Sequence, residues 1–233
     1  MQNLYNIDGN PPLSYPIYER LFSFIDNALP DFYVLNTNND GNLVTAEDKI
    51  TEDLTDFLEN KQEELKQDRN TSFRFTNQSQ QKTDIGVKLG RGYSANNRKP
   101  FCWIEAKRLP TPNDKNDRDR REYVFVSQEK KENGKKKFNG NGGIQRFKEG
   151  KHAPELDYSI MIGYIQDKDV NYWLTEINGW ITELANANYE LWTNGDCLRK
   201  YDSNRHDRFL STHERKDIKE PITLRHYWIK LKH

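Results

Sequence analysis

Cysteine, long apolar runs and net charge are all scarce in this chain, and each scarcity excludes a class of protein. The 233 residues include 2 cysteines, Cys102 and Cys197, too few and too far apart for a disulfide framework or a zinc site. No stretch approaches the roughly 18 apolar residues of a membrane span, and no basic segment followed by an apolar one opens the chain. We therefore expect a cytoplasmic protein with reduced thiols and no membrane partner.

Sequence motifs of several common enzyme classes are missing as well. The chain has no Gly-x-Ser-x-Gly, no phosphate-loop Gly-Lys-Thr and no dinucleotide-binding glycine fingerprint. Serine-triad hydrolysis, nucleotide hydrolysis and hydride transfer therefore lack support. Neither His-x-x-x-His nor Cys-x-x-Cys spacing occurs, so zinc is not indicated either.

The composition nevertheless favours a folded chain. Hydrophobic residues make up only 34% and the mean hydropathy is −1.05, but 12% of the residues are aromatic, which argues against disorder. We expect one domain over residues 1–233, with a core at about 43–187. An N-terminal helix at 16–28 and C-terminal strands at 207–232 complete the predicted domain.

Charge is segregated along the chain although its sum is zero. Residues 1–86 carry 7 Lys and Arg against 15 Asp and Glu, whereas residues 107–151 carry 14 against 7. Residues 198–233 are also basic, with 10 against 5. Cationic side chains supply most sequence-independent affinity for nucleic acid, so these basic stretches suit a phosphate backbone. For the lysine run 135–137 a solvated loop is an equally good interpretation.

The pattern of Phe101–Leu109 predicts a buried strand that carries two charged side chains. Strand alternation places two aromatic and two charged side chains on one face: Phe101, Trp103, Glu105 and Lys107. A carboxylate and an ammonium among aromatics are costly to desolvate unless a partner compensates them, and a metal ion or a phosphate is such a partner. A purely structural ion pair is the alternative.

A second acid precedes this strand. In Thr83–Leu89 the same alternation buries Ile85, Val87 and Leu89 and sends Asp84 to the other face, beside Gly86. Residues 90–100 are rich in turn formers, which predicts an antiparallel hairpin with Asp84 and Glu105 side by side. Carboxylate oxygens are the ligands that Mg²⁺ prefers.

The pair Asp84 and Glu105-x-Lys107 resembles the PD-(D/E)xK nuclease superfamily, although Thr83 stands where that pattern often has Pro. The predicted order helix, three strands, helix, strand matches the αβββαβ core of restriction endonuclease-like folds, an α/β fold with a mixed sheet flanked by helices. The resemblance implies that Asp84, Glu105 and the Ala106 carbonyl hold Mg²⁺ or Mn²⁺. It implies that Lys107 positions the attacking hydroxide. DNA is the implied substrate, with RNA possible, and restriction or phage defence the implied setting.

A glutamate on the preceding helix often completes the metal site in that superfamily. Two candidates lie on the predicted second helix, Glu47 and Glu52. Glu47 shares the buried face of Ile50 and Leu54, whereas Glu52 points outward. The inward orientation of Glu47 therefore makes it the predicted metal ligand. A first-turn acid favoured by the helix dipole is the alternative for Glu47.

The downstream elements supply the predicted substrate contacts. A glycine-rich turn at 140–143 opens a short helix at 144–149, and its backbone N–H groups suit an anion. Gln145 is expected to orient water or substrate. The predicted nucleic-acid contacts are Arg108, Arg146, Lys148, His213 and Arg215. For His213, as for His226, a hydrogen-bonded surface histidine of a strand is the competing interpretation.

Five further elements complete the prediction. They are a short strand at 123–126 within a polar region at 110–141, a buried strand at 157–165, a helix at 169–186, and final strands at 208–215 and 222–231.

The same pattern is compatible with a protein that binds nucleic acid or a protein partner without cutting. The Glu105 and Lys107 pair would then be structural, and the basic region would form the interaction surface. A homodimer or a partner subunit is possible in either case, because many nucleases of this kind cut both strands as dimers.

Overall fold

The structure is a computed structural model, and it describes eleven segments of the chain. They are residues 15–32, 47–64, 72–77, 84–90, 99–109, 121–125, 129–132, 135–138, 142–189, 191–202 and 204–231. Residues 91–98 of the predicted turn at 90–100 and most of the polar region 110–141 lie outside these segments.

One mixed sheet organises the described residues. Its strands are β1 Phe73–Asn77, β2 Ile85–Leu89, β3 Cys102–Leu109, β6 Tyr158–Ile165, β7 Arg199–Lys200, β8 Arg208–Arg215 and β9 Ile218–Lys230, and a separate hairpin joins β4 Glu129–Glu132 to β5 Lys135–Phe138. The described helices are α1 Tyr15–Ala28, α2 Glu47–Glu64, α3 Gly143–Lys148 and α4 Val170–Asn186. The architecture is α/β, with a mixed sheet flanked by helices, as predicted.

The sheet follows the order β1-β2-β3-β6-β9-β8-β7. Strands β1, β2 and β3 are antiparallel neighbours, which confirms the predicted hairpin of β2 and β3. Helix α3 then carries the chain across to β6, which lies parallel to both β3 and β9. The near-continuous apolar sequence of β6 suits this central position, because both of its faces are covered.

Helices α1 and α2 cover one face of the sheet. Leu21 and Ile25 of α1 and Ile50 and Leu54 of α2 are at most 1% exposed, and they pack with the Ile104 face of β3. Their spacing of four residues is the helical period that predicted both helices. This layer fixes where the first turn of α2 lies relative to β3.

Helices α3 and α4 cover the opposite face. Trp173, Ile177 and Ile181 of α4 pack against Phe209 of β8 and Trp228 of β9. These α4 residues form the apolar stripe that predicted the helix. The Glu105 and Lys107 side of β3 therefore faces the α3 layer.

Two predictions about local structure are wrong. Residues 123–125 form a turn and not a strand, because the N–H groups of Val124 and Phe125 both donate to the Arg121 carbonyl at 2.8 Å. Their side chains are buried beneath α3, so this apolar run fills a core without forming a strand. Phe101 packs with Tyr18 on the α1 face, because β3 begins only at Cys102 and its alternation does not extend back to Phe101.

Both cysteines, Cys102 and Cys197, are free thiols, as expected. Among the described residues, no helix has the length and apolar character that crossing a membrane requires.

Candidate active site

Strand β3 brings a carboxylate and an ammonium together inside the protein. Glu105 and Lys107 are two residues apart, so their side chains share one face. Lys107 Nζ lies 3.0 Å from Glu105 Oε1, and the two side chains are 6% and 0% exposed. The prediction that both groups lie buried on the same face is confirmed.

Asp84 joins them from the start of β2. Ile85 pairs with Ile104, which sets Asp84 opposite Glu105. Asp84 Oδ2 accepts a hydrogen bond of 2.7 Å from the Ala106 backbone N–H. The hairpin register thus places the two acids as the sequence predicted.

Glu47, the first residue of α2, reaches the same place from the other layer. Its Oε1 lies 3.1 Å from Lys107 Nζ, and its Oε2 accepts a 2.8 Å hydrogen bond from the Arg108 backbone N–H. Glu52 instead lies at the surface with a 59% exposed side chain, 3.7 Å from Lys49. The choice of Glu47 over Glu52 as the inward-facing acid is confirmed.

The Lys107 ammonium lies among oxygens of the predicted metal ligands. It contacts Glu105 Oε1 at 3.0 Å and Glu47 Oε1 at 3.1 Å. It also donates to the Ala106 carbonyl at 2.9 Å. Three of the four groups predicted to hold a metal therefore surround a cation of the chain itself.

Burial and mutual repulsion set the protonation of the acids. Burial raises the pKa of Glu105 to about 7, although Lys107 and Arg146 act to lower it. Burial also raises the pKa of Asp84 above its usual range, against the lowering effect of Lys107. Burial alone would lower the pKa of Lys107, but Glu105, Glu47 and Asp84 outweigh it and raise that pKa. The cluster thus favours binding positive charge.

Helix α3 and the turn after it add two groups to Glu105. Arg146 Nη1 lies 3.1 Å from Glu105 Oε1, with the arginine side chain 26% exposed. His152 Nδ1 lies 3.4 Å from Glu105 Oε2, with its side chain 1% exposed. The sequence predicts a substrate contact for Arg146 and gives no signal for His152, which belongs to no motif and no periodic face.

Gly142 and Gly143, the described part of the glycine-rich turn at 140–143, do not provide the predicted anion site. The N–H groups of Gly143, Ile144 and Gln145 donate to the carbonyls of residues 122, 123 and 124, at 2.8, 3.1 and 3.0 Å. The glycine at position 142 serves close packing instead, because a Cβ there would lie 2.4 Å from the backbone of Phe125. The N-terminus of α3 is therefore already satisfied by the chain.

Gln145 is buried and holds α3 together. Its Nε2 donates to Glu149 Oε1 at 2.9 Å, and its Oε1 accepts from the Gly142 N–H at 3.4 Å. These contacts within the helix do not support its predicted role of orienting water.

Three of the predicted nucleic-acid contacts are used inside the protein. Lys148 Nζ donates to Asp196 Oδ1 at 2.6 Å. Arg215 Nη1 donates to the carbonyls of Ala153, Pro154 and Leu156 at 3.0 to 3.2 Å.

The third, His213, is fully buried beside Asp196. These three residues are corrected to structural roles. Arg108 is also buried, at 7% exposure, whereas Arg146 is the most exposed of the predicted set.

His213 belongs to a buried chain of hydrogen bonds that runs across β8 and β9. Trp228 Nε1 donates to Tyr123 Oη at 3.0 Å, which lies 2.8 Å from His226 Nδ1. Ser211 Oγ lies 2.7 Å from His226 Nε2 and 2.6 Å from His213 Nε2.

Asp196 closes this chain, because its Oδ1 lies 2.6 Å from His213 Nδ1. An indole N–H only donates and a carboxylate only accepts, so a series of donors running from Trp228 to Asp196, with one N–H on each imidazole, satisfies every contact. Burial lowers the pKa of both His213 and His226, which favours these neutral forms. The alternative interpretation of His213 and His226, hydrogen-bonded histidines of strands, is right about the bonding and wrong about the surface position.

No family model, curated protein or solved structure matches this chain. The described residues also contain no group of three His, Cys, Asp or Glu side chains arranged to hold a metal. The donor chemistry nevertheless fits a hard cation. Glu105 Oε2 is a buried carboxylate oxygen with no hydrogen-bond partner in the described segments, and such an atom is costly unless a cation compensates it.

Proposed function

We propose that this chain is a divalent-metal-dependent endonuclease with a restriction endonuclease-like core, acting on DNA. The observation that carries the proposal is the convergence of Glu47, Asp84, Glu105 and Lys107 on one buried cluster from three separate elements. The element order α2, β1, β2, β3, α3, β6 supports it, since it follows the αβββαβ pattern apart from the inserted β4–β5 hairpin.

Glu47, Asp84, Glu105 and the Ala106 carbonyl would hold Mg²⁺ or Mn²⁺. The bound metal would supply Lewis-acid polarisation of the phosphoryl oxygen and a bound water that ionises near neutral pH. Lys107 contacts oxygens of the same groups, so its ammonium and the metal compete for them.

The chain's own cations would complete the chemistry. Lys107 supplies a compact positive charge that steadies the attacking hydroxide and offsets negative charge developing on the phosphate. Arg146 is partly exposed beside Glu105, and its planar guanidinium suits a phosphate oxygen of the backbone. Such pre-positioned charges act strongly because the surrounding site is buried.

A cleavage panel tests this proposal. The protein is incubated with linear DNA, circular DNA and RNA, each with Mg²⁺, Mn²⁺ or EDTA, and products are resolved on gels. Variants Asp84→Asn and Lys107→Met are compared with Glu52→Gln, a matched exposed carboxylate on α2. We expect metal-dependent DNA cleavage that falls at least ~100-fold in the two site variants and stays unchanged in Glu52→Gln.

The rival is a nucleic-acid or protein binding module with the same fold. The closed contacts of Lys107 with Glu105 and Glu47 favour it, because a structural ion-pair cluster would look the same. Binding of DNA without products under every metal condition would support this module. Cleavage that persists in folded Asp84→Asn and Lys107→Met, as checked by circular dichroism, would remove the site assignment.

A further inference from the structure

His152 is held rigidly against the candidate active site. It follows α3, and its backbone N–H donates to the Arg146 carbonyl at 3.2 Å. Its ring meets the Phe147 ring edge-on, with centroids 5.4 Å apart and planes at 89°. Gly150, with φ of 65°, makes the turn that brings the imidazole back over β3. The imidazole is thus pre-positioned by backbone and packing together.

The His152 imidazole faces Glu105 Oε2, the oxygen that neither Lys107 nor Arg146 contacts. Lys107 and Arg146 both contact Oε1, at 3.0 and 3.1 Å. Oε2 has no hydrogen-bond partner among the described residues and lies 3.4 Å from His152 Nδ1. Metal–ligand bonds of about 2.1 Å place adjacent ligand atoms roughly 3 Å apart, so these two atoms suit neighbouring positions on one ion.

The chemistry of this pair differs from that of the carboxylates alone. Glu47, Asp84 and Glu105 already bring three carboxyl groups to the cluster, and a neutral imidazole adds a ligand without adding a further negative charge. Mg²⁺ takes oxygen ligands almost exclusively, whereas transition-metal ions accept imidazole nitrogen, and Mn²⁺ is the member of that series also suited to carboxylates. A nitrogen donor beside Glu105 therefore selects between these two metals.

We propose that His152 Nδ1 is a metal ligand together with Glu105, and that it gives the site a preference for Mn²⁺ over Mg²⁺. This inference rests on the proposed function insofar as both need a metal at Glu105. It goes beyond that function by naming a nitrogen ligand and a metal preference, neither of which the carboxylate set implies.

Electron paramagnetic resonance of the protein with one equivalent of Mn²⁺ tests the proposal without any substrate. In the wild type we expect protein-bound Mn²⁺ and a ¹⁴N modulation from a directly bound imidazole. His152→Gln should lose the modulation and bind Mn²⁺ about 10-fold more weakly, with Mg²⁺ competition changed much less. His206→Gln, an exposed histidine in the same protein, is the matched control and should keep both.

The outcomes distinguish the proposal of a His152 metal ligand from the proposal of a nuclease. Mn²⁺ that binds and is lost in Glu105→Gln, but shows no ¹⁴N modulation in the wild type, overturns the His152 ligand and leaves the nuclease proposal standing. No bound Mn²⁺ or Mg²⁺ at millimolar concentration overturns both, and the contact between His152 and Glu105 is then an ion pair only. Because the wild-type spectrum decides the ligand question, a poorly folded His152→Gln does not obstruct the test.

Discussion

Glu47 and Lys107 are 60 residues apart in the chain, yet the carboxylate of the first lies 3.1 Å from the ammonium of the second. The contact joins the first turn of α2 to the middle of the sheet. The second Glu47 oxygen accepts from the Arg108 N–H at 2.8 Å, so the carboxylate is fixed at both oxygens. One side chain thereby ties the helical layer to the strand that carries Glu105.

Removing the charge of Glu47 should weaken metal binding without unfolding the protein. We expect Glu47→Gln to bind Mn²⁺ about 10- to 100-fold more weakly, because a ligand or its close support is lost. Glu52→Gln, five residues along the same helix and exposed, should bind as the wild type does. Isothermal titration calorimetry measures both, and equal affinities for the two variants would limit Glu47 to a structural role.

Periodicity predicted the elements that build this site. Apolar residues that recur every 3.6 residues predict helices α1, α2 and α4. Apolar residues that recur every 2 residues predict strands β2 and β3. The predicted helix at 169–186 differs from α4, Val170–Asn186, by one residue. Alternation together with the turn formers at 90–100 also predicted Asp84 beside Glu105, because hairpin register is a local property.

The remaining features depend on contacts between distant segments, which no local pattern encodes. Arg146 and His152 reach Glu105 only because α3 crosses from β3 to β6. The short apolar run at 123–126 has the length of a strand, and only the hydrogen bonds of Val124 and Phe125 to the Arg121 carbonyl distinguish residues 123–125 as a turn. His213 shares a strand face with Phe209 and faces the α4 layer, where Asp196, a residue of a distant segment, lies beside it.

The two glycines at 142 and 179 should respond oppositely to alanine. A Cβ at Gly142 would meet backbone atoms of Phe125 at 2.4 and 2.5 Å, which nothing flexible can relieve. We expect Gly142→Ala to cost about 1–3 kcal/mol of unfolding free energy. Gly179 lies within α4 with nothing within 4 Å of the added atom, so Gly179→Ala should stabilise by roughly 0.5–1 kcal/mol. Urea unfolding measures both changes, and a neutral Gly142→Ala would contradict the close packing of Gly142 against Phe125.

The buried histidines should make stability fall in mild acid. Burial lowers the pKa of His213 and lowers that of His226 further. Below about pH 6.5 the unfolded chain therefore binds protons that the folded protein does not, so the unfolding free energy decreases as pH falls from that value. Hydrogen bonds from His213 and Lys148 outweigh burial and hold the pKa of Asp196 at about 2. The contribution of ionised Asp196 to the unfolding free energy is therefore lost only at lower pH than that of the histidines.

Replacing one of these histidines should reduce that slope. Between pH 6.5 and 5, we expect the unfolding free energy of His226→Gln to change less steeply than that of the wild type, by up to about 1.4 kcal/mol per pH unit. The exposed His206→Gln serves as the control and should follow the wild type. Parallel pH profiles for wild type and His226→Gln would show that His226 is not held neutral by the fold.

Two buried serines allow the contribution of the hydrogen-bond chain to the unfolding free energy to be measured. Ser211 and Ser159 are both 0% exposed, but Ser211 Oγ bridges His213 and His226 at 2.6 and 2.7 Å. Ser159 Oγ has no hydrogen-bond partner among the described residues.

The alanine variants of these serines should therefore differ in stability. Ser211→Ala leaves two imidazole nitrogens without their partner and should cost about 1–3 kcal/mol. Ser159→Ala removes an unsatisfied hydroxyl and should be neutral or slightly stabilising, since the burial cost of that group disappears. Equal losses in the two variants, measured by urea unfolding at pH 7.5, would mean that the polar chain adds nothing beyond packing.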